Sequence, residues 1–241
     1  MDCPIDALTM GETLEIIDKS ISQRKGIRHV VINAAKIVNM RRDYKLRESI
    51  SSCDIINPDG QSIVWASRVL GKSIPERISG IDLMQSVVKL AQKKNYKIFF
   101  LGASEDIVNR VVKKYSSIYS SSIIAGYRNG YFKEADEIDI VNEISNSKAD
   151  ILFVAIPSPK KEIFLEKYIK MINIPFSMGV GGSFDVVAGK IDRAPIWMRD
   201  YGLEWLHRLI QEPRKMWKRY LFTNSMFIIL LIKEKLKTLY N

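Results

Sequence analysis

Asp59 stands in the turn Asn57-Pro58-Asp59-Gly60, directly after an apolar run. A carboxylate held at the mouth of a sheet can take a proton from an attacking hydroxyl as a general base. Asp is also a common turn residue and helix cap, and composition alone leaves both readings open. A second stretch is Gly179-Val180-Gly181-Gly182-Ser183-Phe184-Asp185. Glycines after a buried strand let backbone N–H groups approach phosphate oxygens, and a following helix adds its positive end. The spacing is not that of a dinucleotide-binding fingerprint, and a tight structural turn is the competing reading. Gly102-Ala103-Ser104 reads as a strand-to-helix turn that either holds phosphate or only caps a helix through Ser104. Arg77, after Pro75-Glu76 in a loop, has the planar fork that grips a pyrophosphate, but is equally an ordinary surface arginine.

Absent patterns narrow the chemistry. The chain has no Asp-x-Asp pair at a strand end, no Walker loop, no HExxH and no GxSxG. Triphosphate hydrolysis, metalloproteolysis and α/β-hydrolase chemistry therefore lose their usual supports. The histidines are His29, at a strand start, and His207, in a basic segment. Two cysteines, Cys3 and Cys53, are too few for a disulfide framework and lack zinc-ligand spacing, so reduced thiols are expected. The N-terminus is acidic and has no apolar stretch of the signal-peptide kind. The apolar run 226–232 is far short of the ~20 residues that cross a bilayer.

The elements that must position these residues are legible in the alternation of the chain. Runs at 29–33, 53–57, 97–102, 121–127, 150–156 and 175–181 are almost continuously apolar, as strands buried on both faces are. Between them, 61–70, 81–93, 105–115, 134–144 and 160–172 place apolar residues at helical spacing. This rhythm predicts an α/β fold with a mostly parallel sheet flanked by helices, whose ligands bind past the carboxyl ends of the strands. Those ends carry Asn33, 57–60, 102–104, 157–159 and 179–182, a set suited to a crevice. Beyond Ala188 the composition shifts to Trp, Arg and Met, so the boundary falls near residue 192. Residues 1–192 then form the α/β body and 193–241 a helical appendage.

The formal net charge is +10 and the pI about 9.5, which favours anionic partners. Arg193, Arg199, Arg208, Arg214, Lys215, Lys218, Arg219 and the lysines 233, 235 and 237 interleave with Trp197, Trp205, Trp217 and Phe222. That is the composition of a helix lying in a membrane surface, of a nucleic-acid stacking surface, of a partner-binding helix, or of a core-packed helix with a solvated charged face.

Together these motifs resemble the WecG/TagA/CpsF family of bacterial glycosyltransferases, over about residues 6–227. The resemblance rests on INPDGQSIVWASRVLG (56–71), RISGIDLM (77–84), FFLGAS (99–104), GYRNGYF (126–132), PSPKKEIF (157–164) and the long ordered stretch 179–221. It implies a Rossmann-like fold and an inverting, metal-independent transfer from a UDP-sugar to a sugar on polyprenyl diphosphate, with no cofactor. It implies a C-terminal appendage that meets an anionic membrane surface at the inner face of the cell membrane. Asp59 matches the proposed base and Arg77 an active-site arginine. Asn33 matches the asparagine ending the early strand, and Gly179, Gly181, Gly182 and Asp185 match the nucleotide-sugar pocket, to which Gly102 and Ser104 are also assigned. Arg208, Arg214 and Arg219 are expected to reach the acceptor diphosphate. Two departures are Val31, where many members carry Thr, and Lys161, where many carry Gln; both positions are expected to face the sugars. They point to a donor or acceptor other than the N-acetylmannosamine/N-acetylglucosamine pair, which is the alternative. No nucleic-acid partner is expected, a non-catalytic nucleotide- or nucleic-acid-binding protein being the reading from another class. A homo-oligomer fits the apolar C-terminal stretch.

Overall fold

The structure, a computed structural model, describes residues 3–240 and, at Lys215, Leu239 and Tyr240, the backbone alone. Met1, Asp2 and Asn241, which belong to the acidic N-terminal stretch and the basic appendage read above, lie outside the described residues. Every apolar run read as a strand supplies one: β1 (Ile27–Ile32), β2 (Ile55–Pro58), β3 (Ile98–Gly102), β4 (Ile124–Arg128), β5 (Ile151–Ala155) and β6 (Phe176–Gly179). They form one six-stranded sheet in the order β2-β1-β6-β5-β3-β4. All its pairings are parallel, so the expected α/β, Rossmann-like class holds. The inner strands β6, β5 and β3 are buried along their whole length, and β4, at the edge, is half-buried or exposed.

Helices cover both faces. On one side, α1 (Met10–Ser22), α5 (Gly80–Lys94), α6 (Glu105–Ile118) and α9 (Ser183–Val187) close a core around Phe100, Phe153, Phe176 and Phe184. In α5 the buried stripe is Leu83, Met84, Val87, Val88 and Ala91, with Lys89 and Lys93 exposed, as the spacing predicts. On the other side, α7 (Glu137–Asn146) and α8 (Lys160–Ile172) pack Ile140, Ile144, Phe164 and Leu165 against Phe99 and Val154. The helices α2 (Ala34–Met40) and α3 (Tyr44–Ser51) between β1 and β2, and α1 itself, are additions to the elements expected from the sequence. α1 opens on a reciprocal cap: the Thr9 hydroxyl accepts from the Glu12 N–H, and the Glu12 carboxylate accepts from the Thr9 N–H at 2.8 Å.

After β2 the chain enters α4 (Gln61–Val69), and after α9 it runs through α10 (Ile196–Asp200), α11 (Glu204–Gln211) and α12 (Pro213–Tyr240). α12 lies along α2. Its Phe227 is buried in a third cluster with Val30, Ile37, Ile63 and Val64, and Met226, Leu230 and Leu231 pack around it. Met216 and Thr223 lie buried on the same helix, while Leu221, Ile228, Ile232 and Leu236 are exposed. The helix thus has one apolar face on the protein and a second one outside it.

Gly102 faces Ala155 where β3 ends beside β5. Its φ is +129°, and an added Cβ would lie 2.6 to 2.7 Å from backbone atoms of Ala155. Backbone cannot give way as a side chain can, so Gly102→Ala is expected to destabilise the protein by about 3 kcal/mol. In a chain of this length that lowers the thermal midpoint by roughly 6–12 °C. Calorimetry of the variant checks this.

Candidate active site

A crevice of about 650 Å³ opens at the carboxyl ends of β2, β1 and β6, with α11 and α12 forming its far wall. The side nearer the sheet includes Val31, Asn33, Asp59, Arg77, Gly182 and Ser183; α11 supplies Glu204, Trp205 and Arg208, and α12 supplies Arg219 and Tyr220. The crevice therefore gathers Asn33, Asp59, Arg77, Gly182, Arg208 and Arg219 from the residues singled out in the sequence.

Asp59 is fixed by its backbone. Its N–H donates to the Ile32 carbonyl at 2.7 Å, and the neighbouring Pro58 carbonyl accepts from the Ile78 N–H at 2.9 Å. Gly60, with φ +107°, then turns the chain into α4, a conformation that disfavours any side chain. Among the described residues, none hydrogen-bonds the Asp59 carboxylate. Burial, reinforced by the negative charge of Glu204, pushes its pKa up to about 6, against the pull of Arg77 and Lys36. A carboxyl poised near neutral pH, with an open side toward a crevice, is suited to taking a proton.

The cations around it are mostly held. Arg77 pairs with Glu204 of α11. Arg193 meets Asp82 of α5 at 2.5 Å, and Arg208 meets Glu212 at 2.9 Å. The Arg208 guanidinium lies over the glycine loop, where a Cβ on Gly182 would sit 3.5 Å from it. Arg219 is exposed on the rim and forms no ion pair among the described residues. Asn33 uses its side-chain oxygen to accept from the Lys36 N–H at 3.1 Å, capping α2 at the crevice wall.

Other sequence candidates fall outside this lining. Gly102 and Ser104 lie at the end of β3, and Ser104 occupies the N-cap position of α6 without a side-chain cap bond. Gly179 lies under the stem of Lys161, and Gly181 takes the left-handed turn with φ +51°. Asp185 pairs with Lys190 at 3.3 Å. Arg214 is exposed at the start of α12. Lys161 is buried, and both it and Lys36 contact Glu162 at 2.9 Å. Burial, with Lys36 beside it, lowers the Lys161 pKa to about 8. Burial alone would raise Glu162, but the two ammonium groups outweigh it and hold the carboxyl at about 2. Of the two positions that depart from the family pattern, Val31 lines the crevice and Lys161 does not.

Glu204, Asp82, Trp205 and Tyr220 were not singled out as site residues in the sequence. Glu204 offers one local signal, an acidic residue in the first turn of a helix, which serves the helix dipole equally well.

An open parallel sheet with its crevice at the strand ends, a carboxyl raised toward neutrality and arginines facing it define an α/β group-transfer site. The model described as the glycosyl transferase WecG/TagA/CpsF family matches residues 1–240, and the chain belongs to that family. It is 38% identical over 196 residues to the N-acetylglucosaminyldiphosphoundecaprenol N-acetyl-beta-D-mannosaminyltransferase of Bacillus subtilis (strain 168), covering 81% of this chain and 75% of that one. It is 33% identical over 201 residues to a protein of the same name from Bacillus spizizenii (strain ATCC 23059 / NRRL B-14472 / W23), covering 83% and 77%.

The raised pKa of Asp59 has a cost for folding. A folded pKa of about 6 above an ordinary 3.8 means that its contribution to stability is full below pH 3.8 and is lost as pH rises through 6. With solvent reaching the carboxyl from the crevice, the loss at pH 7.5 is about 1–2 kcal/mol. Asp59→Asn should therefore raise the thermal midpoint at pH 7.5 by a few degrees and leave it unchanged near pH 3.5. Melting both proteins at both pH values checks this.

Proposed function

We propose that this glycosyltransferase moves a sugar from a UDP-sugar onto a polyprenyl-diphosphate-linked sugar, with inversion and without a metal ion, in bacterial surface-polymer synthesis. The Asp59 carboxyl carries the reading: it is raised toward neutrality, has no hydrogen-bond partner among the described residues, and opens into a crevice walled by arginines. The names of the Bacillus relatives supply the acceptor class, a lipid-linked N-acetylglucosamine diphosphate.

In this reading Asp59 takes the proton of the acceptor hydroxyl as its oxygen attacks the anomeric carbon. The bond from that carbon to the diphosphate breaks on the opposite face, and UDP leaves with the electron pair. Charge on the leaving diphosphate is met by the backbone at Gly182 and Ser183 and by Arg208 and Arg219, which already face that loop or the rim. Asp59→Asn is expected to lower turnover roughly 10²-fold or more, the range for losing general-base catalysis. The assay is UDP release from a panel of UDP-sugars in EDTA, with and without a short-chain lipid-diphosphate N-acetylglucosamine. Acceptor-dependent release supports the reaction class and names the donor; release unaffected by Asp59→Asn removes Asp59 from the base role. UDP-N-acetylmannosamine as the preferred donor would make this chain equivalent to the Bacillus relatives. Another donor would be traced to Val31 at the crevice wall.

The exposed face of α12 supports peripheral attachment to the inner face of the cell membrane. No helix among the described residues is long and apolar enough to cross a membrane. Leu221, Ile228 and Ile232 are 65%, 56% and 54% exposed, on a helix that also carries Lys218, Lys233 and Lys237. Aliphatic side chains beside basic ones suit an anionic lipid surface. Replacing the three by serine should weaken binding to phosphatidylglycerol vesicles on the order of 100-fold or more. Unchanged co-sedimentation would remove this face from membrane attachment.

A further inference from the structure

Glu204 is the acidic group that the appendage contributes to the crevice. Among the described residues, two ion pairs of opposite polarity join appendage to body near the crevice. In one the body supplies the cation, Arg77, and the appendage the carboxylate, Glu204; in the other the body supplies Asp82 and the appendage Arg193. Glu204 is not free to wander. Gly202, two residues earlier, has φ +69° and sits so close to α4 that an added Cβ would lie 2.5 Å from Cβ of Gln61. Trp205, the next residue, packs edge-on against Tyr220 of α12 with ring centroids 5.9 Å apart. The start of α11 is thus clamped between α4 and α12.

We propose that Glu204 is a positioning residue, which holds the Arg77 guanidinium at the crevice and sets its own negative charge on the wall facing Asp59. The inference rests on the reading of Asp59 as the base and adds the group that tunes it. The charges facing Asp59 are Glu204 from α11, Arg77 from the loop after α4, Lys36 from α2 and Asp82 from α5, the last held by Arg193; Tyr220 of α12 lies within reach of its charge. Burial and Glu204 favour the protonated acid, and Arg77 and Lys36 favour the carboxylate. Because Glu204 belongs to the appendage, Asp59 reaches its full basicity only with α11 seated. The pairing with Glu204 also restrains Arg77 from lying directly on Asp59, where a bare guanidinium would convert the base into a spectator ion.

The test is the titration of the Asp59 carboxyl carbon by ¹³C NMR in the full-length protein labelled at aspartate, with Asp59→Asn to assign the signal. In the wild type the midpoint is expected at about 6. Glu204→Gln keeps a hydrogen-bonding partner for Arg77 but removes the charge, and should lower the midpoint by about one pH unit. Arg77→Gln should raise it, and Glu204→Asp should restore most of the wild-type value. The acid limb of kcat/KM, measured by UDP release, should move in the same directions, with turnover of Glu204→Gln falling as its base weakens. Opposite shifts in Glu204→Gln and Arg77→Gln support the proposal, because a variant that merely loosened the appendage would admit water and lower both. An unmoved midpoint in Glu204→Gln, or shifts of the same sign, overturns it while leaving Asp59 as base. Full turnover in Asp59→Asn overturns the base reading and this inference with it.

Discussion

The burial of Phe227 against the helix that follows the first strand is the contact on which the site depends. Phe227 is 4% exposed and shares its cluster with Val30, Ile37, Ile63 and Val64, drawn from β1, α2 and α4. A phenylalanine removed from water contributes about 1.5–3 kcal/mol, enough to hold one helix on another once its neighbours Met226, Leu230 and Leu231 join. With α12 fixed there, α11 has only a short turn between it and Gly202, and its Glu204, Trp205 and Arg208 come to rest over the ends of β1, β2 and β6. Without that contact the sheet would present an open groove; with it, the groove gains a second wall and a lower dielectric. The pKa of Asp59 follows from that geometry.

What the sequence made legible divides along physical lines. Five of the six strands show because each is a short apolar run buried on both faces, and β4, half-buried at the edge, shows by its apolar start and its place in the alternation. α2 did not show: Ala34, Ala35, Ile37, Val38 and Met40 are buried on nearly every side, so the helix has no polar face to mark its period. Its one charged residue, Lys36, is buried too, against Glu162 from α8, a pairing across more than a hundred positions. α1 carries a local signal in Thr9 and Glu12, the capping-box spacing, without a flanking strand to place it in the alternation.

The site was legible where the chain itself makes a turn and opaque where distant segments meet. Asp59, Gly182 and Asn33 stand at strand ends, and the alternation alone brings them near one edge of the sheet. Arg77 and Glu204 meet across 127 positions with no spacing rule to announce it. Gly102 shows how one geometric signal can have two causes: glycine is required there by the approach of Ala155, whatever it binds. At Gly179 the stem of Lys161 likewise occupies the space a side chain would fill, and at Gly181 the left-handed φ of +51° favours glycine. The family resemblance carried Arg208 and Arg219 to the crevice; charge and composition placed them only in a basic segment.

The place of β1 in the sheet bears on how the chain is made. β1 leaves the ribosome well before β6, yet β6 is one of its two neighbours, paired through Ile27, Arg28 and His29 with Phe176, Ser177 and Met178. The apolar cluster on its outer side waits longer still, for Phe227. Until β6 and α12 are made, one edge of β1 is uncovered and its outer apolar cluster lacks Phe227. α12, which follows β1 by about 180 residues, closes the apolar cluster that β1 begins, so this face of the fold is completed late relative to its start.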